Sequence, residues 1–140
     1  MAVDPAIIGT ELEPTTLTVD AGRLRFFAKA IGETNPIFGD VVPPTFLFAI
    51  ELEHPDPFAW ATRFGIDLRF VLHGEQQFTY HSVARAGDVL TASPRIVDVY
   101  SKKGGALDFI VKETAVTRAD GSAVADLRSV IVVRNPGVGK

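Results

Sequence analysis

The order of patterns along this chain predicts an α+β protein in which one antiparallel sheet wraps around a central apolar helix. Three observations carry that prediction. Leu24, Phe27, Ala28 and Ile31 repeat at helical spacing, so an early helix buries one face. The run Pro43-Pro44-Thr45-Phe46-Leu47-Phe48-Ala49-Ile50-Glu51-Leu52 is apolar almost all round, as a helix enclosed on most sides requires. Four β-type runs then fill the second half: 68–82, 89–100, 106–117 and 123–134. Strands gathered after helices and joined by hairpins favour an antiparallel sheet over βαβ units.

The elements follow in order. Thr15 to Val19 alternate polar and β-branched types and read as a short strand. Asp20 offers an N-cap for the first helix and Gly32 a C′ stop. The two prolines at 43 and 44 suit the first turn of the apolar helix. Residues 56–64 read as another short helix, with Pro57 near its start and Gly65 just past its end. Turn chemistry separates the strands at Arg85-Ala86-Gly87-Asp88, Lys102-Lys103-Gly104-Gly105 and Arg118-Ala119-Asp120-Gly121. In the last strand Ala123, Ala125, Leu127, Ile131 and Val133 fall on one face, and Asp126, Arg128 and Arg134 on the other.

Composition narrows the function classes. A chain of 140 residues fits one domain, residues 1–140, with loose ends at about 1–11 and 136–140. A hydrophobic fraction of 46% and a charged fraction of 22% are ordinary for a globular protein. A net charge of -3 without a basic run argues against a nucleic-acid partner. The chain has no Cys, which excludes disulfides, thiolate metal sites and Cys nucleophiles and agrees with a cytoplasmic setting. No apolar run approaches the roughly 20 residues that span a bilayer, and the first residues lack a signal-peptide pattern. His and carboxylates nowhere adopt metal-ligand spacing, and no Gly-x-Ser-x-Gly elbow occurs, so neither a metal nor a Ser hydrolase is expected.

One loop carries the most functional information. Gly32-Glu33-Thr34-Asn35-Pro36-Ile37-Phe38 resembles the Gly-Asp-x-Asn-Pro-x-His segment of the MaoC-like (R)-specific enoyl-CoA hydratases. Three further matches follow in the same order: the Pro-Pro-Thr-Phe start of the apolar helix, Leu72-His73-Gly74-Glu75-Gln76, and Arg85-Ala86-Gly87-Asp88. Together they cover nearly the whole chain. The Leu-His-Gly-Glu-Gln run resembles a strand start in the non-catalytic N-terminal half of double-hot-dog hydratases. The resemblance implies a hot-dog fold, and it implies acyl-thioester chemistry shared between two halves. In the family one half supplies an Asp/His pair that holds the attacking water, and the other shapes the acyl pocket. Here Glu33 stands at the Asp position and Phe38 at the His position, and phenylalanine cannot transfer a proton.

The resemblance marks candidate residues. Glu33 is a possible base, and His73 with Glu75, two apart in a strand and therefore on one face, a possible acid/base pair. A buried polar network is the structural reading of that pair. Asn35, Phe38, Thr45 and Phe46 are candidate substrate-binding positions, with Thr45 or Phe46 offering the backbone N–H of an oxyanion site because Pro43 and Pro44 have none. His81 reads as surface or interface and His54 as exposed. Relatives usually have more residues between the Asn-Pro loop and the apolar helix. Here only Asp40, Val41 and Val42 separate Gly39 from Pro43, so either the loop is short or residues are missing between Phe38 and Pro43.

The expected function is an enoyl-thioester hydratase/3-hydroxyacyl-thioester dehydratase component that lacks independent catalysis and shapes the acyl pocket. Its substrate would ride on CoA or acyl carrier protein, with no further cofactor. Its partner would be a second copy or a catalytic hot-dog subunit, since a half-open sheet leaves an unpaired edge. Two alternatives stand beside it: a hot-dog thioesterase using Glu33, and a non-enzymatic acyl-thioester binding module.

Overall fold

The computed structural model describes residues 3–138. Its sheet contains β1 (Thr15–Thr18), β2 (Val71–Tyr80), β3 (Val89–Lys102), β4 (Leu107–Arg118) and β5 (Ala123–Arg134). All neighbours are antiparallel, in the order β1-β3-β4-β5-β2. The helices are α1 (Ala21–Ala30), α2 (Phe48–Glu51) and α3 (Ala59–Arg63). Register shifts in the β3–β4, β4–β5 and β2–β5 pairs mark bulges, which bend and twist strands and let the sheet curl. The result is the hot-dog arrangement that the sequence predicts.

The first helix ends by a rule that later decides the fate of Glu33. Asp20 caps its start by accepting from the Arg23 N–H at 3.0 Å. At its end the Glu33 N–H donates to the Ala28 carbonyl (2.8 Å) and the Gly32 N–H to the Lys29 carbonyl (3.2 Å). That is a Schellman motif, and Gly32 supplies its left-handed residue at φ +76°. Leu24 and Ala28 are buried, Phe27 packs partly, but Ile31 is 52% exposed because it lies in the unwinding cap.

The central helix is shorter than its apolar run predicts. Only Phe48–Glu51 is α-helical, and bonds across three residues recur around it: Phe46 to Pro43 (3.0 Å), Ala49 to Phe46 (2.8 Å), Ile50 to Leu47 (3.2 Å) and Leu52 to Ala49 (3.1 Å). Two consecutive prolines explain this. They remove two donors and push Val42 and Pro43 away from helical angles. The segment winds as tight turns that still bury Phe46, Leu47 and Ile50 completely.

Two other expectations change. Residues 3–11 are not a loose end: Val3 and Ile7 are buried, the Val3 N–H donates to Asp108 Oδ2 (3.0 Å), and Glu11 bridges Arg95 on β3. Apolar side chains at Val3, Ile7 and Leu12 supply the driving force that a polar tail would lack. The expected loose end at 136–140 is described only as far as a turn through Val138. The short segment between Phe38 and Pro43 forms a hydrogen-bonded turn. Asp40 and Val41 donate to the Ile37 carbonyl, and Val42 to that of Ala84. In β5 the alternation is looser than predicted: Ala123 is exposed, while Val124 and Val130 on the nominally polar face are buried.

The interior is divided. One apolar cluster gathers Leu24, Phe46, Leu47, Ile50, Leu90, Val116 and Leu127; a second gathers Ile7, Ala61, Ile96, Ile110, Ile131 and Val133. Between them, on the same sheet face, lie Lys112 and Thr114 of β4, Ser129 of β5 and Gln76 of β2. A polar belt therefore crosses the core at mid-sheet, and α2 lays Glu51 over it.

Candidate functional site

The loop that resembles the hydratase motif holds itself together. Glu33 Oε1 accepts from the Thr34 N–H (2.9 Å) and the Asn35 N–H (3.0 Å). Asn35 Oδ1 accepts from the Ile37 N–H (3.1 Å) and caps the 3₁₀ turn Pro36–Gly39. Thus one oxygen of the carboxylate nearest the family's Asp position is held by its own backbone, and Asn35 caps the turn that follows. Phe38 is half-buried and lines a cavity of about 370 Å³ with Val41, Pro44, Tyr80, His81 and Val83. His81 Nε2 lies 2.7 Å from Asp126 Oδ2, with both side chains substantially exposed at the strand end.

The oxyanion candidates separate. Phe46 is 2% exposed, packs edge-on against Phe27 (centroids 5.4 Å apart), and its N–H is taken by the Pro43 carbonyl. It is a core residue whose N–H is already engaged. Thr45 is exposed, and among the described residues its N–H has no acceptor. The Tyr80 hydroxyl donates to the Pro44 carbonyl beside it, and burial pushes the Tyr80 phenol up to about 12.

His73 and Glu75 are parted by a bulge. His73 pairs with Ile131 but Glu75 with Val130, so Gly74 is the extra residue. Ile131 points to the core face and Val130 to the opposite one; His73 and Glu75 therefore face opposite ways, and the expected pair does not form. The reason is visible at Gly74, where a Cβ would meet Val132 Cγ2 at 2.9 Å and the Val130 carbonyl oxygen at 3.0 Å. Neither residue joins the expected buried network: both are exposed, and the His73 ring packs against Phe48 (centroids 5.3 Å apart).

His73 instead lines a second cavity of about 330 Å³. Its walls are mainly apolar, among them Phe48, Leu52, Phe58, Trp60, Leu72 and Ile131, and at one side it reaches Glu51, Lys112 and Ser129 of the belt. Glu51 and Lys112 are the groups that the motif comparison misses. Their side chains are only 9% and 10% exposed and pair at 3.1 Å. Thr114 Oγ1 donates to the same Glu51 Oε1 (2.7 Å), Lys112 Nζ sits 5.6 Å from the Trp60 ring, and Ser129 Oγ donates to Gln76 Oε1 (2.7 Å). Glu51 Oε2 is buried and has no partner among the described residues. A third cavity, about 260 Å³, adjoins the other side of this group and adds Glu13, His54, Asp56 and Arg63. His54 is half-buried rather than exposed, since its Nε2 bonds Glu13 (2.8 Å). Glu13 hydrogen bonding raises the His54 pKa above 6.5. Sequence carried a signal for the belt: Lys112 and Thr114 interrupt the apolar face Ile110–Val116, and Glu51 is the single charge in its apolar run.

Residues 6–127 match the family described as "FAS1-like, dehydratase domain region". The chain belongs to that family. A UPF0336 protein of Saccharopolyspora erythraea is 29% identical over 147 residues, covering 96% of this chain and 93% of its own length. Because that alignment is longer than this chain, the relative carries residues absent here. A UPF0336 protein of Leifsonia xyli subsp. xyli is 34% identical over 94% of this chain and 96% of its own. Among solved structures, the HadBC (3R-hydroxyacyl-ACP dehydratase) complex of Mycobacterium tuberculosis superposes with a TM-score of 0.77 at 23% identity, covering 94% of this chain and 99% of the other. A MaoC-like dehydratase reaches 0.81 at 19%, and there the chain spans only 43% of the longer protein. The ChsH1–ChsH2 complex of Mycobacterium tuberculosis gives 0.73 at 21%, over 91% and 86% of the two chains. The dehydratase-region chain thus shares the hot-dog fold of these structures. Among its described residues no helix is long and apolar enough to cross a membrane, and no group of three or more His, Asp and Glu could hold a metal ion.

Proposed function

We propose that this chain is the pocket-forming component of an enoyl-thioester hydratase/3-hydroxyacyl-thioester dehydratase and takes its acid/base pair from a partner. The observation that carries this is the loop. Glu33 Oε1 is occupied by the Thr34 and Asn35 N–H groups, and Phe38 stands where an imidazole is needed. Water addition requires a base for the water and an acid for the α-carbon. Phe38 offers no acid at the loop, Glu33 Oε1 is tied to the backbone, and His73 and Glu75 point to opposite faces.

The substrate would be an acyl thioester of CoA or acyl carrier protein. Its acyl group would enter the 330 Å³ cavity under α2 and α3, a size at the lower end of ligand pockets. The partner would add along the free edge of β2, which has β5 on one side only. An unpaired strand edge invites such addition. HadBC and ChsH1–ChsH2 are two-protein complexes, and the MaoC-like dehydratase chain is more than twice the length matched here. These support a paired arrangement, with a hot-dog subunit or a second copy on that edge.

The test is turnover of crotonyl-CoA by the purified chain alone and after co-expression with a hot-dog subunit that carries an intact Asp-x-Asn-Pro-x-His loop. We expect hydration only in the pair. Rapid hydration by the chain alone sinks the proposal. If His81→Ala then removes that activity, the His81–Asp126 pair is the base. Release of free thiol in place of hydration would favour a thioesterase, and binding without either reaction a carrier module.

A further inference from the structure

The geometry points to a polar acceptor site lining the acyl cavity: we infer that Glu51 and Lys112 recognise a neutral hydroxyl or carboxamide on the distal part of the acyl group. This rests on the reading of the 330 Å³ cavity as the acyl pocket and adds to it a substrate feature. An ordinary saturated acyl chain needs only apolar walls. Here the interior is crossed by Glu51, Lys112, Thr114, Ser129 and Gln76 between two apolar clusters.

The hydrogen-bond inventory shows what is unmet. Glu51 Oε1 accepts from both Lys112 and Thr114, whereas Oε2, sealed from water-sized contact, accepts from nothing among the described residues. A buried carboxylate oxygen without a donor is costly, about 1–3 kcal/mol or more. Lys112 has three N–H donors; one meets Glu51 and the ammonium faces the Trp60 ring. An unfilled acceptor therefore lies beside a spare donor, on two residues that line the cavity. Reaching that space requires the carboxylate to turn about its terminal torsion, which also shifts Oε1 within its bonds to Lys112 and Thr114.

Charge selects the ligand class. Glu51 and Lys112 cancel, so a further full charge would enter a poorly solvated place uncompensated. A neutral group that both donates and accepts meets Oε2 and the ammonium together. A hydroxyl or a primary carboxamide does this; a methyl terminus does neither.

The chain's single tryptophan, Trp60, lines the cavity and reports occupancy directly. The experiment titrates the protein, in the assembly it adopts, with octanoyl-CoA and with its ω-hydroxy derivative, read by Trp60 fluorescence and calorimetry. We expect the hydroxylated probe to bind about tenfold more tightly, the yield of one hydrogen bond to a charged group. The double variant Glu51→Leu/Lys112→Met removes both charges and leaves only the Thr114 hydroxyl without its acceptor. It should bind octanoyl-CoA at least as well as the parent and lose the preference, which also shows that its cavity is folded. Equal binding of the two probes by the parent overturns the inference but leaves the acyl-pocket reading intact. A preference that survives in the double variant overturns it too. Binding of neither probe removes the pocket reading itself, and the inference with it.

Discussion

Two glutamates in this molecule have opposite lives. Glu33, in the loop after α1, lies on the surface, where Oε1 accepts from two neighbouring N–H groups and the rest of the carboxylate meets solvent. Glu51, on α2, is buried and keeps one oxygen unfilled. The first sits where the family resemblance places chemistry, yet serves local structure. The second belongs to no motif and faces a cavity. A motif match locates a backbone conformation; what the side chain can do depends on which donors reach it.

The sharpest way to break this comparison is to strip one partner from the belt. Lys112→Ala leaves Glu51 charged, buried and without its ammonium, which should cost about 3–5 kcal/mol. Urea denaturation would show a large drop in midpoint at nearly constant slope. The double variant Glu51→Leu/Lys112→Met should lie close to the parent or above it, because no charge is left buried. If Lys112→Ala proves neutral, the belt is better hydrated than its burial implies, and the contrast with Glu33 weakens.

The bulge at Gly74 offers the next largest effect. Gly74→Ala places a methyl group against Val132 and the Val130 carbonyl, and a backbone carbonyl cannot swing aside as a side chain can. About 1–3 kcal/mol of destabilisation is expected. The more telling readout is association: a displaced β2 should lose partner binding along its edge, measured by light scattering. Retained association would move the partner surface elsewhere.

How far these features were legible in sequence follows from how local their causes are. The α1 cap, the Gly32 stop and the four strands were legible, since each depends on residues within a few positions. The shortened central helix was half legible: the apolar run showed burial, but the prolines' effect on its winding was read only as a helix start. The bulge was not legible as such, although a glycine inside a strand is its usual sign. Reading His73 and Glu75 as neighbours assumed a regular strand, and one extra residue reversed the answer. The Glu51–Lys112 pair joins positions 61 apart in the chain, so only the odd placement of each charge among apolar residues hinted at it.

Glu33→Ala tests the other half of the comparison. Removing a carboxylate that caps two N–H groups should cost about 1 kcal/mol, as a lost helix cap does. Crotonyl-CoA turnover by the paired assembly should be unchanged apart from that loss of stability. A collapse of turnover in a folded Glu33→Gln variant would make Glu33 catalytic and reverse its assignment.

The smallest expected effect concerns the far side of the belt, where His54 lines the third cavity with Glu13 and Asp56. In the neutral ring Nδ1 accepts from the Asp56 N–H (3.0 Å) and Nε2 donates toward Glu13; protonation gives up the first bond and strengthens the second. The Glu13 hydrogen bond favours the imidazolium, and the pKa lies above 6.5. The sign follows: the folded pKa exceeds the unfolded one, so this pair's contribution to stability is full below pH 6.5 and is lost as pH rises through the folded pKa. A proton NMR titration should show His54 as the late-titrating imidazole relative to 6.5, and Glu13→Gln should return it toward that value. An unshifted His54 in the parent would mean that Glu13, 76% exposed, is held by water rather than by the ring, and that this side of the belt is open to solvent.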